Sequence, residues 1–509
     1  MISKKLLFII GLVLCINTVT NAQKKTFHTS IAPAPKAGTM FIFPERILLE
    51  NGEFLNAERA MMFVPLNRSR KNSDVISLDV YRFKASEKAN PNTPPIFFLH
   101  GGPSFEGLED QLKEIGNYEK NWQFMTDVAD VVVVSQRGIG PSKPTTIIEK
   151  TVENFPPDVA YNDEQAIESL HKILSKERKV WEELGLDLKG FTVLEAAEDV
   201  NDVRKALGYD KITIWGGSFG SHWGMSLMRL HPEIIERAIL RGMEGPDHTY
   251  DDPGNAWNVY KRIAEEAENS DELKGLIPPG GLISAVETII NRIKANPFTV
   301  DVKDPETNKI QKVLFDENSA KNLSRGYSND LASWPADIIT LYNGNFEDAA
   351  KKIVIRYNNS DSRFKTASYF MLDCGSGITP IRLEKQIADP ANNILNQVNW
   401  DYINGCPCWD SDLGNDFRQN FETDIPTVIV QGTWDRSTPF ENALELVPYF
   451  KDSKFIPLKR GPHSAIKAAL QASEGFKKGL LRFVESGDRS ELPDELELSK
   501  MKWVVPKLK

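Results

Sequence analysis

Five short runs of apolar residues recur along this chain without the alternation of polar residues that a half-exposed strand would show. They are rich in β-branched and aromatic side chains and lie at residues 96–99, 131–134, 212–215, 238–240 and 428–430. Strands of this kind are buried on both faces, as in a parallel sheet that helices cover on each side. The runs therefore predict the central strands of an α/β domain.

A helix is predicted between the second and third of these runs. Thr192 is the expected N-cap residue, Glu195 would complete a capping box, and Gly208 follows the last apolar position of the segment 193–207. Strand and helix then alternate. This order indicates a doubly wound, mostly parallel sheet, with additional strands near residues 61–64 and 76–83 at one edge.

The alternation stops between about residue 246 and about residue 417. Segments 256–267 and 282–293 have helical periodicity, and no clear buried strand is present there. We therefore expect four parts along the chain. They are a signal peptide (1–22), the first part of the core (23–245), an inserted, mainly helical cap domain (246–417) and the second part of the core (418–509).

Composition excludes several classes of protein. The chain has 509 residues, of which 41% are hydrophobic and 26% charged, as in ordinary globular proteins and unlike disordered or coiled-coil chains. The formal net charge is −10, and no basic patch interrupts it. An acidic surface repels phosphate backbones and anionic headgroups, so we expect no nucleic-acid partner and no membrane-surface partner.

The first 22 residues have the pattern of a secretory signal peptide. Lys4 and Lys5 precede an apolar run at 6–15, and residues 20–22 offer small or polar side chains at a cleavage point. The run is too short to span a bilayer, so we expect no membrane span and a periplasmic or extracellular protein. The alternative is a lipoprotein anchored through Cys15.

Three cysteines follow the signal segment: Cys374, Cys406 and Cys408. In an oxidising compartment one disulfide is expected, between Cys374 and either Cys406 or Cys408. A zinc site is the alternative, but the single residue between Cys406 and Cys408 is shorter than the spacer usual in thiolate zinc sites. We therefore predict no metal.

The motif Gly-x-Ser-x-Gly occurs at residues 216–220, directly after the strand 212–215 and before a helix-compatible segment. A nucleophilic serine needs such a sharp strand-to-helix turn, because the turn exposes the hydroxyl and side chains at the flanking glycine positions would collide with the backbone. Ser218 is therefore the predicted nucleophile. The alternative is a glycine turn with a spectator serine.

The serine needs a histidine to take its proton and a carboxylate to orient that histidine. In folds with this serine turn, the order along the chain is Ser, then Asp or Glu, then His. Among the seven histidines, only His463 lies beyond His248, so His463 is the predicted base.

The orienting acid should follow the strand that precedes the histidine. Asp435 lies five residues past the strand 428–430 and is the predicted acid. Asp452 competes with it, but Asp452 precedes its strand and would lie at the opposite end of the sheet.

The sequence His-Gly-Gly-Pro at residues 100–103 follows the strand 96–99, where this type of fold places its oxyanion loop. The predicted oxyanion donors are the backbone N–H groups of Phe219 and of Gly102, with Gly101 as the alternative to Gly102. His100 is expected to be a structural hydrogen-bonding residue.

Together these motifs resemble one family of hydrolases. They are His-Gly-Gly-Pro at 100–103, Gln-Arg-Gly-Ile-Gly-Pro-Ser at 136–142, Gly-Gly-Ser-Phe-Gly at 216–220, Gly-Thr-Trp-Asp-Arg-Ser-Thr-Pro at 432–439 and Gly-Pro-His at 461–463. The chain is similar to the prolyl iminopeptidase and tripeptidyl aminopeptidase group of α/β-hydrolases, the S33 serine peptidases. The resemblance implies a helical cap inserted after the strand that ends near Arg241. It also implies removal of one or a few residues from peptide N-termini.

Two positions depart from the pattern of that family. Ser104 stands where the family usually has glycine, and Ser135 stands where it has aspartate before Gln-Arg-Gly. Neither change falls on the predicted nucleophile, base or acid. Arg137 is expected to support the loop at 100–103 rather than to contact the substrate.

An aminopeptidase must also bind a free ammonium group, and a carboxylate does this by charge-assisted hydrogen bonding. Glu244 lies just past the strand 238–240, at the end of the sheet where sites form, and is the predicted substrate-binding residue. Asp247 and Glu265 compete with it. A solvated or capping role for Glu244 is the structural alternative.

These observations predict a secreted serine exopeptidase that acts on peptides with a free N-terminus through an acyl-enzyme and needs no cofactor. A carboxylic-ester hydrolase, such as an esterase or lipase, is one alternative, because the same three residues cleave esters. A catalytically silent binding protein that keeps the fold is the other.

Overall fold

The sheet order follows from the apolar runs identified in the sequence. The computed structural model describes residues 35–48, 52, 54–103, 123–140, 142–146, 155–328, 330–359 and 366–507, so the predicted signal peptide lies outside the described residues. Residues 37–509 form one unit, to which the following description applies. The strands are β1 (Met40–Leu48), β2 (Phe54–Pro65), β3 (Val75–Phe83), β4 (Ile96–Leu99), β5 (Val131–Val134), β6 (Ile212–Gly217), β7 (Ile235–Arg241), β8 (Phe298–Lys303), β9 (Ile310–Phe315), β10 (Thr427–Gly432), β11 (Ser453–Lys459) and β12 (Leu496–Glu497).

Ten of the described strands form one sheet in the order β1-β2-β3-β5-β4-β6-β7-β10-β11-β12. The strands from β5 to β12 in this order pair in parallel, and β1, β2 and β3 add an antiparallel edge. All residues of β5, β6 and β10 are buried, as expected for strands covered on both faces. The predicted α/β-hydrolase architecture, a doubly wound and mostly parallel sheet, is confirmed.

Helices cover both faces of this sheet. The described α-helices are α1 (Asp163–Glu183), α2 (Val193–Leu207), α3 (Phe219–Leu230), α4 (Pro253–Glu268), α5 (Gly281–Ala295), α6 (Glu317–Leu323), α7 (Trp334–Tyr342), α8 (Glu347–Asn358), α9 (Ala367–Ser376), α10 (Pro380–Ile387), α11 (Asn392–Leu395), α12 (Trp400–Gly405), α13 (Gly414–Phe417), α14 (Phe440–Leu446), α15 (Ala465–Ala472) and α16 (Glu474–Ser486). Apolar side chains of α2 and α3 pack on one face, and those of α15 and α16 pack on the other. This two-sided burial holds the strand ends in fixed positions.

Helix α2 has the predicted bounds and N-cap, but only half of the predicted capping box. The Glu195 N–H donates to Thr192 Oγ1 at 3.3 Å, and Gly208 ends the helix with φ of 77°. The carboxylate of Glu195 instead accepts from the backbone N–H and the guanidinium of Arg68, at 2.8 and 2.6 Å. A charged partner from another part of the chain has replaced the local backbone donor.

Part of the segment between β7 and β10 has its own apolar core. Trp257 and Ile263 of α4, Ile290 of α5 and Trp334 of α7 are buried together in it. Strands β8 and β9 form an antiparallel hairpin that the sequence did not predict, because each strand has partly exposed faces and no continuous apolar run. Within the described ranges, none of the helices combines the length and hydrophobicity that a membrane crossing requires.

The C-terminal segment also contacts this second core. The Val504 N–H donates to the carbonyl of Ala332, and Trp503 is buried with its ring 6.1 Å from that of Trp434. After β12, the chain therefore leaves the sheet and packs against the residues between β7 and β10.

One disulfide joins the segments that the cysteine positions suggested. Cys374 on α9 is bonded to Cys406, and Cys408 keeps a free, partly buried thiol. Of the two pairings left open by the sequence, the structure has Cys374–Cys406. The bond holds α9 against the turn that follows α12.

Candidate functional site

The turn that carries Ser218 has the strained geometry expected of a nucleophile. Ser218 has φ of 57° and ψ of −133°, a conformation that side-chain-bearing residues rarely adopt. A Cβ atom at Gly220 would lie 1.9 Å from the Leu99 carbonyl oxygen, and one at Gly216 would lie 2.4 Å from the Gly220 carbonyl oxygen. Both motif glycines are therefore required by close backbone packing, and the serine lies at the start of α3.

The predicted oxyanion loop lies directly beside this serine. A Cβ atom at Gly101 would be 3.2 Å from Ser218 Cβ and 3.7 Å from Ser218 Oγ. Gly102 has φ of 126°, which glycine adopts without strain, and Phe219 is the first residue of α3. The structure thus brings Gly101 close to the Ser218 side chain, with Gly102 next along the loop and Phe219 directly after the serine.

Gln136 holds the oxyanion loop through hydrogen bonds to its backbone carbonyls. Its Nε2 donates to the carbonyls of His100 and Gly101, both at 3.2 Å. His100 Nδ1 lies 3.0 Å from the Gly101 carbonyl oxygen, and burial lowers the pKa of His100 to about 4. His100 is therefore neutral near pH 7 and structural, as the sequence indicated.

Arg137 has a different role from the one expected. Its guanidinium makes two bonds to Asp199 on α2, at 2.8 and 2.7 Å, and a third to the Leu66 carbonyl. The residue that supports the oxyanion loop is its neighbour Gln136, whereas Arg137 joins α2 to the end of β2.

Of the two positions that depart from the family pattern, Ser135 accepts the Asp79 N–H at 3.0 Å, and Ser104 lies outside the described residues.

Asp435 and His463 are brought together from separate loops. His463 Nδ1 lies 2.9 Å from each carboxylate oxygen of Asp435. Asp435 follows β10 and His463 follows β11, and these strands are parallel neighbours. Asp452 is at the other end of β11, where it pairs with Arg489. The structure therefore supports Asp435 rather than Asp452 as the partner of His463.

Several donors converge on the buried Asp435 carboxylate. The Ser437 and Thr438 N–H groups donate to Oδ1 at 3.0 Å, the Thr438 hydroxyl donates to Oδ2 at 2.8 Å, and Gln431 Nε2 donates to Oδ2 at 3.2 Å. Burial alone would raise the pKa of Asp435, but the charge and hydrogen bond of His463, with the Thr438 bonds, outweigh burial and lower it. Asp435 is therefore held ionised, and Thr438 is a residue that the sequence analysis missed.

Gly242 joins the serine turn to the histidine. The Ser218 N–H donates to the Gly242 carbonyl at 3.1 Å, and a Cβ atom at Gly242 would lie 3.0 Å from His463 Cε1. Gly242 has φ of 52°, so the position favours glycine for its backbone as well as its space. Gly242 therefore lies next to both the backbone of Ser218 and the imidazole ring of His463.

Glu244 is buried close to the same turn. Its N–H donates to Ser221 Oγ at 2.9 Å, and Ser221 Oγ donates to the Ser218 carbonyl at 2.7 Å. No hydrogen bond to its carboxylate is present among the described residues. Burial, followed by the negative charges of Asp373 and Asp251, raises the pKa of Glu244 well above its usual value.

Asp373 on α9 is a second acid that the sequence analysis missed. Its Oδ2 accepts from the Tyr402 hydroxyl at 2.6 Å, and its Oδ1 is buried without a partner among the described residues. Burial raises the pKa of Asp373 well above its usual value, and Asp251 adds to the effect. The ring of Tyr402 stacks on that of Tyr250 at 4.8 Å.

Asp247 and Glu265, the alternatives to Glu244 as the substrate-binding acid, have other surroundings. Asp247 accepts from the Thr379 N–H and hydroxyl and from Arg382, so its carboxylate is already satisfied. Glu265 lies on α4, where its backbone carbonyl accepts from Asn269. In the described part of the chain, no group of three or more His, Cys, Asp or Glu side chains is arranged to hold a metal ion.

Comparison with known proteins gives related hydrolases. The chain is 24% identical over 165 residues to a proline iminopeptidase of Neisseria meningitidis, which covers 32% of this chain and 37% of that protein. It is 25% identical over 189 residues to the serine protease Hip1 of Mycobacterium bovis, covering 36% of this chain and 35% of that one. It is 20% identical over 431 residues to a tripeptidyl aminopeptidase of Streptomyces lividans, covering 77% of this chain and 75% of that one.

These relatives confirm the resemblance to the iminopeptidase and tripeptidyl aminopeptidase group that the motifs suggested. The match spans little more than a third of the length of the Neisseria iminopeptidase. The family profile described as alpha/beta hydrolase fold matches residues 94–466, which include the serine turn, the oxyanion loop and the Asp435 and His463 loops. The chain therefore belongs to the α/β-hydrolase family.

Proposed function

We propose that this protein is a serine exopeptidase that removes amino-terminal residues or short peptides from peptide substrates. The observation that carries the proposal is the arrangement at the carboxyl edge of the sheet. Ser218 on its strained turn is bonded to Gly242, against which His463 packs, and His463 is held by the ionised Asp435. Such an arrangement suits nucleophilic acyl transfer.

In the first half of the reaction, Ser218 Oγ attacks the scissile carbonyl carbon while His463 accepts the hydroxyl proton. Because Nδ1–H of His463 is directed to Asp435, Nε2 is the nitrogen free to accept that proton. The oxyanion is stabilised by the N–H groups of Phe219 and Gly102, or of Gly101 in place of Gly102. His463 then protonates the leaving amine, and the carbon–nitrogen bond breaks to give an acyl-enzyme.

In the second half, water takes the place of the leaving amine. His463 accepts a proton from the water as its oxygen attacks the acyl carbon, and it returns that proton to Ser218 Oγ when the ester bond breaks. The acid product carries the original substrate N-terminus. No step calls for a cofactor, because the nucleophile, base and oxyanion donors all come from this chain.

The exopeptidase character rests on the buried acids Glu244 and Asp373. Burial and the charge of Asp373 raise the cost of ionising Glu244, and neither the Glu244 carboxylate nor Asp373 Oδ1 has a hydrogen-bond partner among the described residues. A substrate ammonium bound between them would neutralise this charge and supply the missing donors. A peptide with a free N-terminus is therefore the substrate class that best fits the site.

We also propose that the protein is exported through a cleaved signal peptide at residues 1–22 and acts in the periplasm or outside the cell. The Cys374–Cys406 disulfide supports an oxidising compartment. Amino-terminal sequencing of the protein recovered from the cell exterior should begin near residue 23. A protein retained in the cytoplasm with an intact N-terminus would contradict this part.

The substrate class is tested by comparing matched amides and esters. We expect aminoacyl and tripeptidyl amides with a free amine to be cleaved with a higher kcat/KM than their N-acetylated counterparts or simple acyl esters. Faster cleavage of the amine-free esters would favour a carboxylic-ester hydrolase instead. The Ser218→Ala variant should fold normally and lose hydrolysis of every substrate, and undiminished activity would mean that the nucleophile lies elsewhere.

A further inference from the structure

Helix α4 contacts both of the loops that carry Asp435 and His463. Arg262 Nη1 donates to the Thr433 carbonyl at 3.1 Å, and the same guanidinium pairs with Glu441 on α14. One helical turn later, both carboxylate oxygens of Glu266 accept from Arg460 Nε at 2.7 Å. Because positions four apart lie on the same side of a helix, a single face of α4 reaches both loops.

Arg460, which lies between β11 and His463, combines a positive φ with a buried guanidinium. Its φ is 62°, a region that glycine adopts freely and arginine does not. Its side chain is only 8% exposed, and besides Glu266 it contacts Glu497 at 2.6 Å and the Leu498 carbonyl at 2.7 Å. The guanidinium thus joins α4, the end of β11 and the segment that begins at β12.

The backbone at Arg460 also ties the two loops to each other. The Arg460 N–H donates to Thr433 Oγ1 at 2.9 Å, and the Trp434 N–H donates to the Gly461 carbonyl at 2.9 Å. Thr433 and Trp434 immediately precede Asp435, and Arg460 lies three residues before His463. A displacement of Arg460 would therefore change the separation of Asp435 and His463.

We propose that Arg460 is a positioning residue for the Asp435–His463 pair, and that Glu266 on α4 and Glu497 on β12 hold it in place. The inference rests on the proposed function, since it concerns the geometry of that reaction. The rate of proton transfer from Ser218 to His463 depends on how Asp435 places the imidazole, and a displacement of about 1 Å can reduce the rate about 100-fold. Contact between α4 and Arg460 would thus determine whether the base is correctly oriented.

A purely structural arginine would affect stability and leave the chemistry unchanged, so the test uses readouts that stability does not move. In Arg460→Ala we expect kcat to fall about 10- to 100-fold while KM stays within about threefold, because the Arg460 side chain contacts Glu266, Glu497 and Leu498 and not Glu244.

Other variants separate the contributions to this effect. Arg460→Lys keeps the charge but not the fork of donors, and should recover part of the activity. Glu266→Gln should reduce kcat less than Arg460→Ala. The double variant Arg460→Ala/Glu266→Gln should have the same kcat as Arg460→Ala alone, because the two residues act through one contact.

Arg489→Ala is the matched control. Arg489 binds Asp452 at the opposite end of the same strand β11, with one bond to the Asp452 carbonyl at 3.0 Å. This variant removes a comparable arginine from the second part of the core, and we expect kcat and KM to stay at wild-type values.

Wild-type kcat in Arg460→Ala, or a rise in KM as large as the fall in kcat, overturns the inference. If Arg460→Ala does not fold, the same two results in Arg460→Lys and Glu266→Gln overturn it. Failure of the proposed function is separate, since the wild-type protein would then cleave no free-amine peptide or amide, whatever the variants do.

Discussion

Two buried acids near the carboxyl edge of the sheet, Asp435 and Glu244, have opposite surroundings. Asp435 is fully buried, yet backbone, hydroxyl and amide donors and His463 all converge on it, and its pKa is lowered. Glu244 is also buried, but its carboxylate has no hydrogen bond among the described residues, and its pKa is raised by burial and by Asp373. Burial alone therefore does not determine what a carboxylate can do.

The difference indicates two separate tasks. A carboxylate with a complete set of donors stays ionised and holds an imidazole in one orientation. A buried carboxyl group without donors ionises only at a cost, which a bound cation lowers. Under the proposed function, Asp435 orients the base, and Glu244 with Asp373 binds the substrate ammonium group.

The largest expected effect comes from making Asp435 neutral. In Asp435→Asn the imidazole loses its charged partner and can be held in the wrong tautomer, so kcat should fall about 10⁴-fold for every substrate. Steady-state kinetics on a free-amine amide and on an acyl ester measure this directly. A loss below tenfold on both would show that Asp435 is not the orienting acid.

A smaller and selective effect is expected at Glu244. Glu244→Gln keeps the shape but removes the charge, so kcat/KM for free-amine substrates should fall about 10- to 100-fold, the value of a charge-assisted hydrogen bond. Acyl esters without an amine should be cleaved at the wild-type rate. The control is Glu265→Gln, which changes an acid of α4 and should alter neither substrate class.

The contrast between Asp435 and Glu244 would be lost if the Glu244→Gln defect were equal on esters and amides. Glu244 would then act on the chemistry of the reaction rather than on recognition. A matching experiment at Asp373→Asn should give the same selective defect as Glu244→Gln, because Asp373 Oδ1 shares the buried charge.

Removal of the disulfide should disturb the placement of Asp373 beside Glu244 and leave Asp435 in place. Cys374 is next to Asp373, and Cys406 follows the helix that carries Tyr402, whose hydroxyl donates to Asp373. In Cys374→Ala/Cys406→Ala we expect KM for free-amine substrates to rise by a factor of about three to ten, with kcat nearly unchanged.

The same double variant should lower the free energy of unfolding by about 3–4 kcal/mol, because the bond closes a loop with a sequence separation of 32 residues. Chemical denaturation measures this value, and Cys408→Ala is the control because its thiol is free. A change in kcat larger than the change in KM would contradict the proposed link between the disulfide and recognition.

The smallest effect is on the pH dependence of the free energy of unfolding, and it has opposite signs for Glu244 and Asp435. The raised pKa of Glu244 means that the folded state holds its proton more tightly than the unfolded state. Stability from this group is therefore complete below the usual glutamate pKa and is lost as the pH rises toward the raised folded pKa. Above about pH 4.5, Glu244→Gln should gain stability relative to wild type by at most about 1.4 kcal/mol per pH unit.

Asp435 should behave in the opposite way. Its lowered pKa contributes stability above the usual aspartate pKa, and this contribution is lost as the pH falls through the folded value. The deficit of Asp435→Asn should therefore shrink below about pH 4. Denaturant unfolding at several pH values measures both trends, and parallel curves for the two variants would remove the contrast.

Much of the sheet and of the serine turn was predictable because the signals are local in the sequence. Ser218 lies between glycines required by close packing, and His463 was the only histidine after His248. The bounds of α2 follow from Thr192 and Gly208. In each case the residues that determine the structure lie next to one another or follow a fixed chain order.

The remaining features depend on contacts between distant parts of the chain. Asp373 meets Glu244 only because α9 packs over the sheet, and no motif marks it, although the neighbouring Cys374 was a signal that its segment is held in place. Thr438 could have been found from its position three residues after Asp435, because an aspartate at a turn often accepts the backbone N–H of a residue that follows it. Arg460 had no such signal, since its partners Glu266 and Glu497 lie elsewhere in the sequence.

The central claim is tested most directly by labelling the protein with a serine-directed phosphonylating probe and mapping the modified peptide. Because the probe has no amine, its reaction depends on Ser218, His463 and Asp435 and not on Glu244. We expect a single label on Ser218, formed at the wild-type rate in Glu244→Gln, far more slowly in Asp435→Asn, and not at all in Ser218→Ala. A label on any other residue, or equal labelling rates in wild type and Asp435→Asn, would contradict the account.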